Sequence, residues 1–487
     1  MSSRRRLLGP LVAATVATAL AWLGAPRPPQ LGEATTGDAA LAAAVRAALA
    51  DPTGYRGLAV ALVQDGTVRV AGLGDRGDGG PVDRDTRFEV GSVGKPLTGM
   101  LLAALAADGV VDPDEPLREL LADHAFDDPD LAATTLAELA SHRSGLPSVR
   151  YTGVPQALGA YLRDVAGRDP YAGQDTRWLA TTLRGASVGD GEHPVSYSNY
   201  GMAVLGYALS RRAGTAYPEL LRRRVLAPLG MRHTEFRLDG APPPEQAARG
   251  GTAGGRPTRP WQASGYAGAG VGLWSTAGDL ATLVSATMAG TAPGADAARP
   301  RFAEREARRV GYGWFTDRVD GREITWHNGG TGGFRSFIGF DRAAGRGVVV
   351  LANTDREVDS LGRHLLAHGA TTGGHAGDAT TGAAGPGWAA MSVTGVLSLA
   401  GGLGLLLVAT RSVVDRLRLV TNGLWALAMP ALAYPIGAWW AVPTWLWAVG
   451  VGLSAVAVAT AARRWRRAPV LVGPHPRLRW VGAVLVS

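Results

Sequence analysis

Of the 49 Lys and Arg residues in this chain of 487, one is a lysine, Lys95, and it stands three positions after Ser92. An arginine guanidinium stays protonated in a protein, whereas a lysine amine gives up its proton when buried or crowded. The position that takes the titratable amine is therefore a candidate proton acceptor. Its nearest candidate donor is the Ser92 hydroxyl, within Phe88-Glu89-Val90-Gly91-Ser92-Val93-Gly94-Lys95-Pro96. A serine becomes a nucleophile when a base of this kind rests against it. Two further clusters lie downstream. Tyr197-Ser198-Asn199 sits within Val195-Ser196-Tyr197-Ser198-Asn199-Tyr200-Gly201, and His327-Asn328-Gly329-Gly330 runs on into Thr331-Gly332-Gly333.

Folded elements must bring these clusters together. With Ser92 opening a helix over Lys95–Ala107, stopped by Gly109, hydroxyl and amine lie one turn apart on one face. That helix start also offers free backbone N–H groups and a positive dipole end, both suited to a developing oxyanion. Ala39–Leu49 reads as an opening helix, and Leu58–Val63 with Thr67–Leu73 alternates around Gln64-Asp65-Gly66 as a hairpin. Thr276 and Asp279 predict a capping-box start for a helix over Leu280–Met288. A second hairpin is expected from Tyr312–Phe315 and Glu323–His327 about Asp320-Gly321. Strands Phe337–Phe340 and Val348–Leu351 come next, then a helix over Glu357–His368 stopped by Gly369. Strands near both ends of this region with helices between them predict an α/β protein of the α+β kind. Its antiparallel sheet is flanked by helices, with a mainly helical subdomain inserted.

Taken together, these residues resemble the serine β-lactamase and penicillin-binding superfamily, in particular its class C branch of D-aminopeptidase, DD-carboxypeptidase and esterase relatives. That family orders S-x-x-K, then Y-x-N, then K-T-G or H-x-G, and all three occur here in that order. The surrounding phrases fit as well: Ser141-His142-Arg143-Ser144-Gly145-Leu146-Pro147, Gly272-Leu273-Trp274-Ser275-Thr276-Ala277-Gly278-Asp279-Leu280 and Gly332-Gly333-Phe334-Arg335-Ser336. The resemblance covers most of residues 40 to 365. It implies a β-lactamase/transpeptidase-like fold, with Ser92 as the acylated nucleophile, Lys95 as its base and Tyr197 as the proton shuttle to the leaving group. Asn199 would hold the substrate amide, and His327, Gly329 and Gly330 would line the substrate strand, with an oxyanion hole at the N–H groups of Ser92 and Gly330. Asn328 departs from the family's usual Thr, and His327 would occupy the place of its third-motif cation. A histidine is largely neutral near pH 7 by its reference value of about 6.5, so a substrate carboxylate is less firmly anticipated. Arg335 is a candidate for supplying that charge.

The ends of the chain are of another kind. Residues 28–387 hold 36 basic and 40 acidic side chains, a net charge of −4, so the formal +8 arises at the ends. That location points to membrane topology, and no nucleic-acid partner is expected. Arg4-Arg5-Arg6 precedes the uncharged run Leu7–Pro26, so residues 1–30 read as a signal peptide or signal anchor. A Gly/Thr/Ala linker over 371–387 separates the hydrolase-like region 35–370 from a block over 388–467. There, Trp388–Thr410 spans once. The 44 uncharged residues Leu419–Ala462 span twice, turning at Trp439, Trp440, Pro443 and Trp445. Arg411, Arg416 and Arg418 and the cluster Arg463 to Arg467 then lie inside, and the hydrolase-like region lies outside. The tail 468–487 ends in Trp480–Val486, too short to span.

The absence of cysteine excludes disulfides and thiolate–metal sites. His364 and His368 stand one helical turn apart without the glutamate of H-E-x-x-H or a third ligand, so no metal is expected. The Gly-rich runs lack a Walker lysine, and no cofactor is expected. The expectation is a multi-pass membrane protein carrying an extracytoplasmic serine hydrolase. It would act through an acyl-enzyme on a small-molecule or peptide substrate: a D-amino-acid peptide, a β-lactam or a small ester. The alternative is a penicillin-binding sensor that acylates without turnover. Oligomeric state is left open.

Overall fold

Two strands decide where the cores lie. Along Gly57–Gln64, Leu58, Val60 and Leu62 face one apolar cluster while Ala59, Ala61 and Val63 face another. Arg346–Ala352 divides the same way, with Val348 and Val350 on one face and Val349 and Leu351 on the other. A strand buried on both faces needs a covering layer on each. The computed structural model, which describes residues 2–370 and 388–471, supplies both layers. Helices Ala39–Ala48 and Asp359–His368 cover one face, and Ala277–Ala289, Gly94–Ala107 and the helical region beyond them cover the other.

In chain order the strands are β1 Thr35–Gly37, β2 Gly57–Gln64, β3 Thr67–Gly74, β4 Phe88–Glu89, β5 Glu235–Phe236 and β6 Leu273–Ser275. They continue with β7 Phe302–Arg305, β8 Arg308–Val310, β9 Phe315–Val319, β10 Arg322–Gly330, β11 Arg335–Asp341 and β12 Arg346–Ala352. Nine form one antiparallel sheet in the order β1-β3-β2-β12-β11-β10-β9-β8-β7, and β4-β6-β5 form a small second sheet. The first expected hairpin is present; the second turns where expected, but its first strand is Phe315–Val319 and residues 312–314 lie outside it. Each turns on a left-handed Asp-Gly pair, Asp65 (φ 49°) with Gly66 (φ 78°) and Asp320 (φ 49°) with Gly321 (φ 77°).

Two further local expectations change, and some strands went unread. Ser92 does not open the helix itself; it sits in a 3₁₀ turn, Gly91–Val93, that runs directly into the helix Gly94–Ala107. Thr276 caps Ala277–Ala289 by accepting from Asp279 N at 3.1 Å, but the Asp279 carboxylate turns away to accept from His233 N and Thr234 Oγ1. Strands β7 and β8, short and rich in charge, and the second sheet carry too little apolar periodicity to be read from sequence.

The chain divides into two compact units, one of them residues 30–252 and 257–383. The other comprises residues 1–29, 253–256 and 384–487, and its described regular elements are helices. Trp388–Thr410, Arg416–Ile436 and Trp445–Trp465 are each long and apolar enough to cross a membrane. Trp388–Thr410 packs on both of the others, and Ser2–Leu23 packs on Trp445–Trp465. Glycines permit these contacts: a Cβ on Gly401 would lie 2.4 Å from Trp425 O, and one on Gly450 2.0 Å from Ser398 O. Trp439 lies in the expected turn and donates its indole N–H to the carbonyls of Ala433 and Tyr434. The expected linker 371–387 and the segment Trp480–Val486 lie outside the described residues.

Asn353, fully buried at the end of β12, accepts from Gly57 N at 2.8 Å and donates to Asp75 O at 3.2 Å. Asn353→Ala leaves these buried groups unpaired and is expected to lower the unfolding free energy by about 1–3 kcal/mol. Thermal melts of the detergent-solubilised full chain check this; an unchanged Tm would refute it.

Candidate active site

Lys95 is fully buried, with its Nζ 2.7 Å from Ser92 Oγ and 3.1 Å from the carbonyl oxygen of Ala269. The helix Gly94–Ala107 holds the lysine one turn beyond the serine. The 3₁₀ turn Ser264–Ala269 supplies the second contact. Glycines bring these segments together: a Cβ on Gly94 would lie 2.5 Å from Gly270 Cα, and one on Gly268 would lie 2.5 Å from Met202 O. Among the described residues no carboxylate pairs with the amine. Burial alone pushes its proton affinity well below the usual lysine value of 10.5, which favours the uncharged amine, the form able to take the serine proton.

A second close approach sets the other side of Ser92. A Cβ on Gly329 would lie 2.1 Å from Val90 O and 3.0 Å from Ser92 N. One on Gly91, whose φ is +50°, would lie 2.9 Å from Gly330 N. The strand β10 therefore meets the turn before Ser92 backbone to backbone, and only glycine fits on either side. Ser336 Oγ donates to Val90 O at 2.7 Å and locks β11 to the same turn. Ser92 N lies beside Gly329 and Gly330 N beside Gly91, the arrangement of paired amides that suits an oxyanion.

Tyr197 closes the cluster. Its ring lies 4.7 Å from Lys95 Nζ, and its phenol is close enough to Ser92 for that side chain to offset part of the effect of burial. The residue is 39% exposed, yet the phenol is the buried end, which raises its proton affinity above the ordinary value. Ser198 caps the helix Asn199–Ala213, so Asn199 is its first residue, and Asn199 Nδ2 donates to the Tyr171 hydroxyl at 3.4 Å. His327 is fully buried on β10, 6.2 Å from the Tyr197 ring. Its Nδ1 contacts the carbonyl oxygen of Asn328 at 2.5 Å. A carbonyl can only accept, so Nδ1 carries the proton and Nε2 is a bare acceptor. Burial and the nearby Lys95 pull His327 down to about 3, so the third motif presents a neutral ring here, not a cation.

The structure thus brings together Ser92, Lys95, Tyr197, His327, Gly329 and Gly330, with Asn199 at their border. Asn328 and Arg335 go elsewhere. Asn328 Nδ2 donates to Asp359 Oδ2 at 2.6 Å, on the sheet face opposite His327. Arg335 pairs with Gly330 on that same face and donates Nη1 to the carbonyls of Thr331 and Phe334. Its charge secures the strand end and does not sit beside Ser92. Two contributors were not singled out from sequence. Glu89, buried, accepts from Trp261 N at 2.9 Å and Thr331 Oγ1 at 3.2 Å, and burial pushes it up to about 8. The signal was an acid between Phe88 and Val90 in an apolar strand. The other is His142, inside the quoted Ser141–Pro147 phrase, whose ring lies 4.8 Å from that of Tyr197. Among the described residues no group of three His, Cys, Asp or Glu could hold a metal ion.

The family model described as Beta-lactamase matches residues 41–371. This chain belongs to the beta-lactamase family. Among curated relatives it is 28% identical over 337 residues to the esterase EstB of Burkholderia gladioli, a match covering 59% of this chain and 83% of the esterase. It is 30% identical over 235 residues to the D-alanyl-D-alanine-carboxypeptidase/endopeptidase AmpH of Escherichia coli, covering 47% of this chain and 56% of AmpH. In fold it is similar to the class C beta-lactamase of Rhodobacter sphaeroides, with a TM-score of 0.53 and 22% identity over 66% of this chain and 95% of that one. These relatives are serine hydrolases, and this beta-lactamase-family chain is an enzyme of that class.

A buried uncharged lysine has a stability cost with a definite sign. Folded, Lys95 holds no proton at pH values where the unfolded lysine, near its ordinary 10.5, holds one. The unfolded state binds the extra proton, so stability rises with pH across the interval between the lowered value and 10.5. Lys95→Met fills the volume without titrating. It is expected to raise Tm at about pH 7 and to flatten the rise toward about pH 9. Melts of both proteins across that range check it; equal slopes would mean that Lys95 is charged in the folded chain.

Proposed function

We propose that the domain is an acyl-enzyme hydrolase in which Ser92 is the nucleophile and Lys95 the base that takes its proton. Tyr197 carries the proton onward to the leaving group, and the N–H groups of Ser92 and Gly330 receive the oxyanion. Asn199 and the strand His327–Gly330 hold the substrate. One observation carries this reading: an amine kept uncharged by burial, 2.7 Å from a serine hydroxyl and under a tyrosine ring. A neutral amine beside the hydroxyl lets attack and proton removal proceed together. The substrate class is an amide or ester of a small molecule or peptide. Neutral His142 and His327 offer no fixed charge to a carboxylate beside the scissile bond, which favours small esters over D-amino-acid carboxylates. The 83% coverage of an esterase is in keeping with that preference.

Nitrophenyl acyl esters and a fluorescent penicillin test the reading together. Turnover of the ester is expected for the wild-type chain, with no label and no turnover in Ser92→Ala. Lys95→Arg keeps a charge but cannot become neutral, and is expected to lose at least about a hundredfold in kcat/KM. Full activity in Lys95→Arg would remove the proton-acceptor role. A penicillin label that persists while no ester turns over would favour the sensor reading.

The reading includes a membrane. Three C-terminal helices of spanning length, Arg-rich flanks and the packing of Ser2–Leu23 against Trp445–Trp465 support a retained N-terminal anchor. They also support the hydrolase domain outside and both termini inside. Protease added to intact spheroplasts is expected to digest the domain and spare a C-terminal tag; loss of the tag with the domain spared would invert the topology.

A further inference from the structure

We propose that His142 is a positioning residue that holds the Tyr197 phenol over Lys95 and Ser92, an inference resting on Tyr197 as the proton shuttle. Tyr197 lies outside regular secondary structure, two residues ahead of the helix Asn199–Ala213. Both of its chain neighbours are tied to one residue. The carbonyl of His142 accepts from Ser196 N at 2.8 Å, and its Nδ1 accepts from Ser198 N at 3.2 Å. The rest of the loop secures the start of the helix: Ser198 Oγ donates to Pro147 O at 2.7 Å, and Tyr200 N to Ser148 O at 3.1 Å. Between two anchored amides, the tyrosine has one direction left.

The ring of His142 completes the clamp. It lies 4.8 Å from the Tyr197 ring and stacks on Phe315 at 6.1 Å, while Phe315 also meets His327 at 5.5 Å. Tyr197 is therefore bracketed by two imidazoles over a shared aromatic floor. Holding the loop this way requires His142 to adopt a left-handed backbone, φ +59°, which a non-glycine residue occupies at some cost. The bond from Ser198 N also sets the tautomer: Nδ1 must be a bare acceptor, so the proton is on Nε2, which is buried and unpartnered among the described residues. A second proton would go to Nδ1, oppose the Ser198 N–H and release the segment. Burial above all disfavours that proton, which keeps Nδ1 free to accept from Ser198 N.

The test compares kcat per active site, counted by covalent titration of Ser92 with a fluorophosphonate probe, on a neutral nitrophenyl ester. His142→Gly keeps the positive-φ backbone and removes the ring. A displaced Tyr197 is expected to lower its kcat by about a hundredfold, with KM changed less than about threefold. His142→Asn tolerates the same backbone and restores a carbonyl acceptor, and is expected to recover about tenfold of that loss. In a Tyr197→Phe background, the His142→Asn change is expected to alter kcat by less than about twofold, because the group being positioned is gone. That cycle also decides the matter if His142→Gly does not fold. Additive losses, or a per-site kcat in His142→Gly within about twofold of wild type, would overturn the inference while Tyr197→Phe remains slow. A fully active Tyr197→Phe would overturn the role of Tyr197 and this inference with it.

Discussion

The site depends on one desolvated amine. Among the described residues, Lys95 is fully buried with no carboxylate to pair with, and its hydrogen-bond partners are a hydroxyl and a carbonyl. Had an acid stood nearby, the lysine would be charged and useless as a base. Desolvation without a counter-charge keeps it neutral, and the fold must tolerate the energetic cost of burying it. Much of the surrounding structure serves that end. The helix Gly94–Ala107 is buried along most of its length, and the glycine contacts at Gly94, Gly268 and Gly270 seal the space around the amine. The same dryness spreads to the neighbours, so His142 and His327 are neutral for the same reason.

Neutrality changes what the third motif contributes. In a strand, successive residues face opposite sides, so His327 and Gly329 face Ser92 while Asn328 and Gly330 face the helix Asp359–His368. The register of β10 against β11 thus delivers an imidazole and a bare backbone to the site. Asn328 and Arg335 are left to fasten the strand from behind. Charge is absent from the reacting side, and the donors left to meet an oxyanion are backbone amides. Such donors need no reorganisation when charge develops, because the glycine-to-glycine contact with the turn before Ser92 already fixes them.

Much of the fold was legible because local chemistry and global arrangement agree. Asp65-Gly66 and Asp320-Gly321 can take the left-handed turn that a hairpin requires, and strands with strong alternation flank both. Gly369 and Gly109 end helices for the same conformational reason. Elements without periodicity were not legible: β7 and β8 are four and three residues long and carry three arginines and a glutamate, so nothing local distinguishes them from loop. The Thr276–Asp279 pair was half legible, since the cap depends on local spacing, but the acid's final partners lie more than 40 residues away.

The sequence by itself marked the candidate reacting groups and their order, because a lone lysine in an arginine-rich chain and three short motifs are matters of composition and spacing. It also determined that charge accumulates at the apolar ends, since that requires only counting. Tertiary structure decided everything that depends on removal from water: that the proton affinities of Lys95 and His327 fall, that Glu89 is pushed up to about 8, and that Arg335 is spent on the carbonyls at its own strand end. It also decided which residue fastens Tyr197, because His142 and Tyr197 stand 55 positions apart and meet only when their two loops pack. Residue type sets what a group can do, but its proton affinity and direction belong to its surroundings, and those exist only after the chain has folded.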